Sequence, residues 1–199
     1  MTFAVVVFER RKNMTNTIAA TLLGFTLLLS PAIASAQVET RDRQVIEQVS
    51  QQVLRYTQYT IFDSVSASIE NGRAILTGWV TMPYKRDDIE QRVRRVDGIT
   101  AVENAIAVLP VSQFDDELRF RIARAIYGNS SFWQYASMAN PPIHVVVNKG
   151  RVTLDGVVNS NIERMLARSL ASGFGAFDVK NDLKTDAEVR ESVEPRKSE

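Results

Sequence analysis

The sequence reads Asn71-Gly72-Arg73-Ala74-Ile75-Leu76-Thr77-Gly78-Trp79-Val80 and returns to nearly the same stretch as Lys149-Gly150-Arg151-Val152-Thr153-Leu154-Asp155-Gly156-Val157-Val158. A Gly-Arg pair, a leucine and a second glycine recur at the same spacing. Each copy is followed by an amphipathic stretch and then by Val-x-Asn, at Val102-Glu103-Asn104 and Val179-Lys180-Asn181. A repeat period of ~80 residues is too long for a solenoid and suits two small tandem domains. We therefore expect the function in a duplicated module rather than in one active site.

Alternating hydrophobicity predicts a β-hairpin in each copy. Residues 64–70 alternate between serines and apolar residues, as a half-buried strand does. Asn71-Gly72 is a strong hairpin turn because both central residues of such a turn need positive φ, and Lys149-Gly150 turns the strand 143–147. The return strands then carry one inward face each, formed by Ala74, Leu76, Gly78 and Val80 and by Val152, Leu154, Gly156 and Val158.

Helical periodicity flanks both hairpins. Pro83 suits the first turn of a helix and Gly98 its end, while Ser112 and Asp115 form a capping-box arrangement for another helix. The predicted inward residues of the four helices are Val45, Ile46, Val49, Val53 and Leu54; Ile89, Val93 and Val96; Leu118, Ile122, Ala125 and Ile126; and Ile162, Met165, Leu166, Leu170 and Phe174.

These elements predict an α+β fold of two tandem α-β-β-α-β modules, residues 41–109 and 112–185. Each module is expected to be a three-stranded mixed sheet with two helices on one face, closed by a strand at 102–109 or 179–183. The opposite face of the first return strand carries Ile75 and Trp79 without a cover in its own module. The other module or a second copy of the chain would cover them, and a partner surface is the alternative. Residues 186–199 are charged, without apolar period, and are expected to form a flexible tail.

The N-terminus is typical of an export signal, residues 1–36. Arg10, Arg11 and Lys12 precede the apolar stretch 18–29, and Ala34-Ser35-Ala36 is a cleavage site of the A-x-A type. The alternative is a retained anchor, but the apolar run is shorter than the roughly 20 residues that a membrane span needs. If Met14 is the true start, the signal lacks these basic residues.

Composition excludes several classes of site. The absence of cysteine removes disulfides, thiol nucleophiles, zinc-thiolate sites and a lipid-modified cysteine. Removing residues 1–36 leaves 21 Lys and Arg against 22 Asp and Glu, so no global field favours nucleic acid or a membrane surface. We expect a periplasmic protein that is peripheral rather than transmembrane, whose electrostatic contacts come from local patches.

The run x-Gly-x-Val-x-Leu-x-Gly-x-Val, followed by a helix and Val-x-Asn, resembles the BON domain. The second copy, residues 149–158, is the closer match, whereas the first has Ala74 in place of the usual valine and the bulky Trp79 after its second glycine. The resemblance spans residues 41–184. The duplication and the predicted signal are similar to the layout of the osmotically inducible OsmY-like family.

The resemblance implies export, binding rather than catalysis, and association with phospholipid or with envelope proteins under osmotic or envelope stress. It brings no catalytic residues. It implies hairpin-turn positions for Gly72 and Gly150, close helix packing at Gly78 and Gly156, and backbone hydrogen bonds from Asn104 and Asn181 near the last strands.

The segment 127–142 holds more large apolar residues than an idle loop needs. Its candidates for a lipid or partner contact are Phe132, Trp133, Tyr135 and Met138. One interpretation is that they fold back over the edge of the core. The other is an aromatic surface at a lipid boundary, which favours Trp and Tyr because one end of each ring is apolar and the other polar.

Two helices carry basic clusters that suit anionic head groups or, alternatively, form solvated faces. The first module has Lys85, Arg86, Arg92, Arg94 and Arg95, partly neutralised by Asp87, Asp88 and Glu90. Arg119, Arg121 and Arg124 in the second module lie beside the aromatic segment and are the better candidates.

No arrangement of residues indicates catalysis, a metal or a cofactor. His144, the only histidine, has no second histidine or cysteine to share a metal and is expected to be structural. No phosphate loop or dinucleotide fingerprint is present. The prediction is an exported binding protein that supports the envelope through anionic phospholipid; the alternative is a protein-interaction or chaperone-like module without lipid contact. The oligomeric state stays open.

Overall fold

The computed structural model describes residues 31–193, with side-chain surroundings for 41–192. It contains two tandem modules with mixed sheets, which confirms the predicted α+β fold class. The basic residues and the apolar stretch of the predicted signal lie outside the described residues, and Ala34-Ser35-Ala36 falls within the first helix.

Module one follows the order α-β-β-α-β. Its elements are α1 (Pro31–Leu54), β1 (Ser64–Glu70), β2 (Arg73–Val80), α2 (Pro83–Val93) and β3 (Ala101–Val108). β1 pairs with β2 antiparallel and β2 with β3 parallel. Asn71 and Gly72 close the hairpin with φ of 51° and 77°, the left-handed conformation that this turn requires. The core lies between the sheet and both helices, around Leu76, Ile89 and Val93.

Module two repeats this order with additions. Its elements are α3 (Gln113–Tyr127), a 3₁₀ turn (Ser130–Phe132), α4 (Trp133–Ala136), β4 (Ile143–Asn148), β5 (Arg151–Val158), α5 (Asn161–Ala171), a 3₁₀ turn (Ser172–Phe174), β6 (Asp178–Asn181), β7 (Lys184–Thr185) and α6 (Asp186–Val193). β4 runs antiparallel to β5, and both β6 and β7 pair with β5 in parallel. The second sheet therefore has four strands instead of the three predicted.

The chain does not become a flexible tail at Asp186, so that prediction is wrong for Asp186–Val193. Thr185 and Glu188 form a reciprocal capping box: the Glu188 carboxylate accepts from the Thr185 N–H at 2.7 Å, and the Glu188 N–H donates to the Thr185 hydroxyl at 3.3 Å. Arg164 on α5 donates to the same carboxylate at 2.8 Å, and Val189 is buried. Residues 194–199 lie outside the described residues.

The start of α3 differs in part from the predicted capping box. The Asp115 N–H donates to the Ser112 hydroxyl at 3.2 Å, as expected. The Asp115 carboxylate turns instead to the hairpin and accepts from the N–H groups of Lys149 and Gly150, each at 2.7 Å. Lys149 has a φ of 51°, a conformation that lysine adopts less readily than the asparagine of the Asn71-Gly72 turn. The long-range contact from Asp115 therefore stabilises the Lys149-Gly150 turn.

The two modules pack against each other through the segment that leads into β1 on one side, and through β4, β5 and α3 on the other. The Ile61 carbonyl accepts from the Val145 N–H at 2.7 Å. The rings of Phe62 and Phe120 meet edge to face at 4.8 Å, and the Ser64 hydroxyl donates to the Asp155 carboxylate. We call this contact the joint.

Candidate functional site

The aromatic segment after α3 folds into two short helical turns that divide its residues between core and surface. Phe132 is fully buried, Tyr135 is buried, and Met138 is partly buried against the core of module two. Trp133 is 76% exposed. The first interpretation of this segment, folding back over the core, thus describes Phe132 and Tyr135, and Trp133 alone of the four candidates stands out into solvent.

Tyr135 fastens this turn to the start of α5. Its hydroxyl lies 2.6 Å from the Glu163 carboxylate, to which it donates, and accepts from the Asn159 N–H at 2.9 Å. Burial, together with the Glu163 carboxylate, raises the pKa of Tyr135 above its usual value, so the phenol stays a neutral donor. The turn that carries Trp133 is consequently fixed beside the first turn of α5.

The three arginines of α3 do not share one environment. Arg119 is buried, forms an ion pair with Asp116 at 2.8 Å and donates to the Val147 carbonyl at 3.3 Å. This arginine connects α3 to β4 and is turned away from solvent. Arg121 and Arg124 are exposed and remain available for an anionic surface.

α5 carries exposed apolar residues that its helical periodicity predicts to face inward. Ile162 is 79% exposed and Met165 is 65% exposed, whereas Ala167 and Ala171 face the sheet. The prediction of an inward Ile162 and Met165 is therefore wrong. The apolar arc of α5 is wider than the strip that its sheet covers, and periodicity alone does not show which part of a wide arc is buried.

The charged residues of α5 suit contact with an anionic surface, because its acidic side chain is already hydrogen-bonded and an arginine is exposed. Its single acidic residue, Glu163, is engaged by Tyr135 and by the Asn159 N–H at 2.9 Å. Arg168 is exposed on the same helix. We call the set Arg121, Arg124, Trp133, Ile162, Met165 and Arg168 the outer surface of module two.

The basic helix of module one is largely neutralised. Arg86 pairs with Asp87 at 2.9 Å and Arg94 with Glu90 at 2.6 Å. Arg92 lies 4.8 Å above the Tyr56 ring. Lys85 is buried in an ion pair of 2.7 Å with Asp63. Compared with the outer surface of module two, this helix offers few free cations.

Ile75 and Trp79 lie on the face of β2 that is turned away from α1 and α2. Ile75 is half-buried and Trp79 is 37% exposed. The joint is built from other residues: the segment 59–64, the strands β4 and β5, and Phe120 on α3. Trp79 is, however, the cross-strand neighbour of Ser64 and so lies beside the joint.

The repeated glycines and asparagines have structural surroundings. A Cβ on Gly78 or Gly156 would lie 2.1 Å from the Ser64 carbonyl or 1.8 Å from the Pro142 carbonyl. The close neighbour is thus the adjacent strand, not a helix as sequence analysis expected. Asn104 donates to the Arg86 carbonyl at 3.1 Å and accepts from the Ile106 N–H at 3.1 Å. Asn181 repeats these contacts with Arg164 and Leu183, at 2.9 and 3.4 Å.

Within residues 31–193, no group of three or more His, Cys, Asp or Glu side chains is placed to hold a metal ion. None of the helices in that range is both long enough and apolar enough to cross a membrane.

Comparison with known proteins identifies the modules. No curated protein matches the chain. Two solved structures of CdsD, a structural protein of the type III secretion system of Chlamydia trachomatis, are similar. One is 14% identical, covers 78% of this chain and 100% of its own length, and has a TM-score of 0.26. The other, its C-terminal domain, is 13% identical, covers 67% of this chain and 94% of its own length, and has a TM-score of 0.24.

Residues 41–110 and 115–187 each match the BON domain. Because these two segments make up more than half of the chain, the protein belongs to the BON domain family and carries the domain twice.

Proposed function

We propose that this protein is an exported, non-enzymatic binding protein that associates with anionic phospholipid at the cell envelope and supports the envelope under osmotic or other stress. BON domains are non-catalytic binding domains, typically periplasmic, and are linked with phospholipid and with envelope or secretion-related proteins. Export is supported by the basic residues, apolar stretch and A-x-A site in residues 1–36.

The observation that carries the lipid half is the outer surface of module two. Three large apolar side chains, those of Trp133, Ile162 and Met165, are each more than three-fifths exposed. Exposed arginines lie on α3, which packs against α4 and α5, and on α5 itself. Apolar side chains that enter the head-group region together with cations at its surface are the two contributions that hold a peripheral protein on an anionic bilayer.

The first test is co-sedimentation of residues 37–199 with vesicles of phosphatidylglycerol and phosphatidylcholine, compared with phosphatidylcholine alone, at 0.05 and 0.5 M salt. We expect binding to the anionic vesicles that weakens at high salt, because exposed charges are screened. Each arginine near an anionic surface contributes about 1 kcal/mol, so Arg121→Ala with Arg124→Ala should weaken binding about thirtyfold. Trp133→Ala and Ile162→Ser with Met165→Ser should weaken binding at both salt concentrations.

Trp79→Ala is the matched control, since it removes an indole from the other module. Binding that is equal for both vesicle compositions, or that Trp79→Ala weakens as much as Trp133→Ala, would contradict the proposed surface.

A second candidate is a protein-interaction or chaperone-like module that uses Ile75 and Trp79. Its support is the position of Trp79, partly exposed on the sheet face that is turned away from α1 and α2. It predicts no vesicle binding, together with an envelope protein that co-purifies with the native chain and is lost with Trp79→Ala but kept with Trp133→Ala.

A further inference from the structure

The only histidine of the chain lies in the joint between the modules. His144 on β4 is the cross-strand partner of Asp155 on β5, and its ring centroid is 5.4 Å from that of Tyr59 in module one. Both modules border a cavity of about 50 Å³ at this point, with Val53 and Ser50 on one side and His144 on the other. The His144 Nδ1 is buried and has no hydrogen-bond partner among the described residues.

The charged and titratable groups around His144 are few, and most already have partners. On β5, the Asp155 carboxylate accepts from the Ser64 hydroxyl. In the segment before β1, Asp63 is paired with Lys85 at 2.7 Å, and the Tyr59 hydroxyl accepts from the Val65 N–H at 3.1 Å.

Two further elements complete these surroundings. On β6, Lys180 is paired with Asp182 at 2.6 Å, and the negative charge of Asp155 also raises the pKa of Lys180. α1 lines the cavity with Val49, Ser50, Val53 and Leu54, none of them ionisable.

We propose that His144 makes the joint sensitive to pH, so that protonation of its imidazole under mildly acidic conditions loosens the docking of module two on module one. Protonation would place a cation in a buried site whose module-one wall is largely apolar, and would add a second N–H donor where the buried Nδ1 has no acceptor. Separation of the modules would give both the charge and the donor access to water.

The direction of the effect follows from linkage. Burial lowers the pKa of His144 below its ordinary 6.5, and the negative charges of Asp155 and Asp63, with the backbone of Asp63 and Thr60, only partly offset this. The separated state therefore binds the proton more tightly. The contribution of His144 to docking is full above the ordinary histidine pKa and is lost as the pH falls from there through the lowered pKa of the docked state, with the docking constant falling by up to about tenfold for each unit of lowering.

The experiment is single-molecule energy transfer on residues 37–199 labelled at Gln91→Cys on module one and Ser169→Cys on module two. Both positions are exposed and neutral, and the chain has no other cysteine. Between pH 8 and pH 5.5 we expect a low-transfer population to grow with a midpoint below pH 6.5, while circular dichroism shows that the modules stay folded. His144→Gln and His144→Phe, which cannot be protonated in this range, should each abolish the change.

The outcomes are distinct. Constant transfer in the labelled protein with His144 intact overturns the proposal, and a change that persists in either folded His144 variant overturns it as well. Higher transfer at low pH would show that the imidazolium pairs with Asp155 and tightens the joint, which is the opposite of what we propose.

Discussion

Asp63 shows how one buried residue can organise a module. It is fully buried, and its carboxylate accepts from the N–H and hydroxyl groups of Thr60 and Thr81 and from the Lys85 ammonium, all within 2.9 Å. Burial by itself raises the pKa of Asp63, but these hydrogen bonds outweigh it and hold the pKa below its ordinary value. The stability that the carboxylate contributes is present above its ordinary pKa and is lost as the pH falls through the lowered one.

Asp63→Asn should lower the free energy of unfolding by about 3–5 kcal/mol at pH 7, because it leaves the buried Lys85 ammonium without its counter-charge. The matched control is Asp87→Asn, which breaks an exposed ion pair with Arg86 and should cost about 0–1 kcal/mol. Urea unfolding of both variants measures the difference. Similar losses for the two would show that the Asp63–Lys85 pair has no special role.

At the scale of the elements, Gly78 within β2 and Gly156 within β5 decide how closely each of these strands approaches its antiparallel neighbour. Gly156 has a φ of 123°, and a Cβ there would collide with the Pro142 carbonyl. Gly156→Ala should destabilise module two by about 3 kcal/mol or more, since backbone strain of about 1–3 kcal/mol adds to overpacking of similar size.

Gly173→Ala provides the comparison, because nothing lies within 4 Å of its Cβ and its φ is not positive. It should change stability by no more than about 1 kcal/mol. Thermal unfolding followed by circular dichroism distinguishes the two variants, and equal midpoints would contradict the assigned role of Gly156.

Sequence patterns predicted local elements better than contacts between them. The strand 64–70 and the turn at Asn71-Gly72 follow from alternation and from turn chemistry, and both stand where predicted. Which residues of α5 are buried cannot be predicted in the same way. The apolar arc of the helix is wider than the part that the sheet covers, and the sheet is formed by other segments of the chain. Nor can the Asp115 contact be predicted, since no pattern relates a helix start to a turn far along the chain.

At the scale of the whole molecule, the joint unites segments from both modules that share no periodicity. The contact between Phe62 and Phe120 does not follow from the sequence, because a single aromatic residue in a connection and another on a helix surface carry no local signal. The candidate site is likewise only partly predictable. The cluster of large apolar residues in the segment 127–142 points to Trp133, whereas only their exposure in the structure points to Ile162 and Met165.

Phe120→Ala should loosen the joint, since such an aromatic pair contributes about 0.5–1.5 kcal/mol beyond the area that it buries. The measurement is hydrogen exchange at the Val145 amide, which donates across the joint to Ile61. We expect exchange to accelerate by up to about tenfold. Phe114→Ala, which removes a ring stacked on Phe177 instead, should leave this amide unchanged, and equal acceleration in both variants would contradict the prediction.

The hydrogen bond between Ile61 and Val145 also bears on how the protein avoids self-association. It occupies the outer edge of β4, whose other edge pairs with β5. An unpaired strand edge is a template for a strand of another molecule, and exchange of an identical element between two copies is a low-cost route to a dimer. Module one thus covers an edge of module two that would otherwise be open to pairing, and a chain whose modules have parted is the form that another copy can capture.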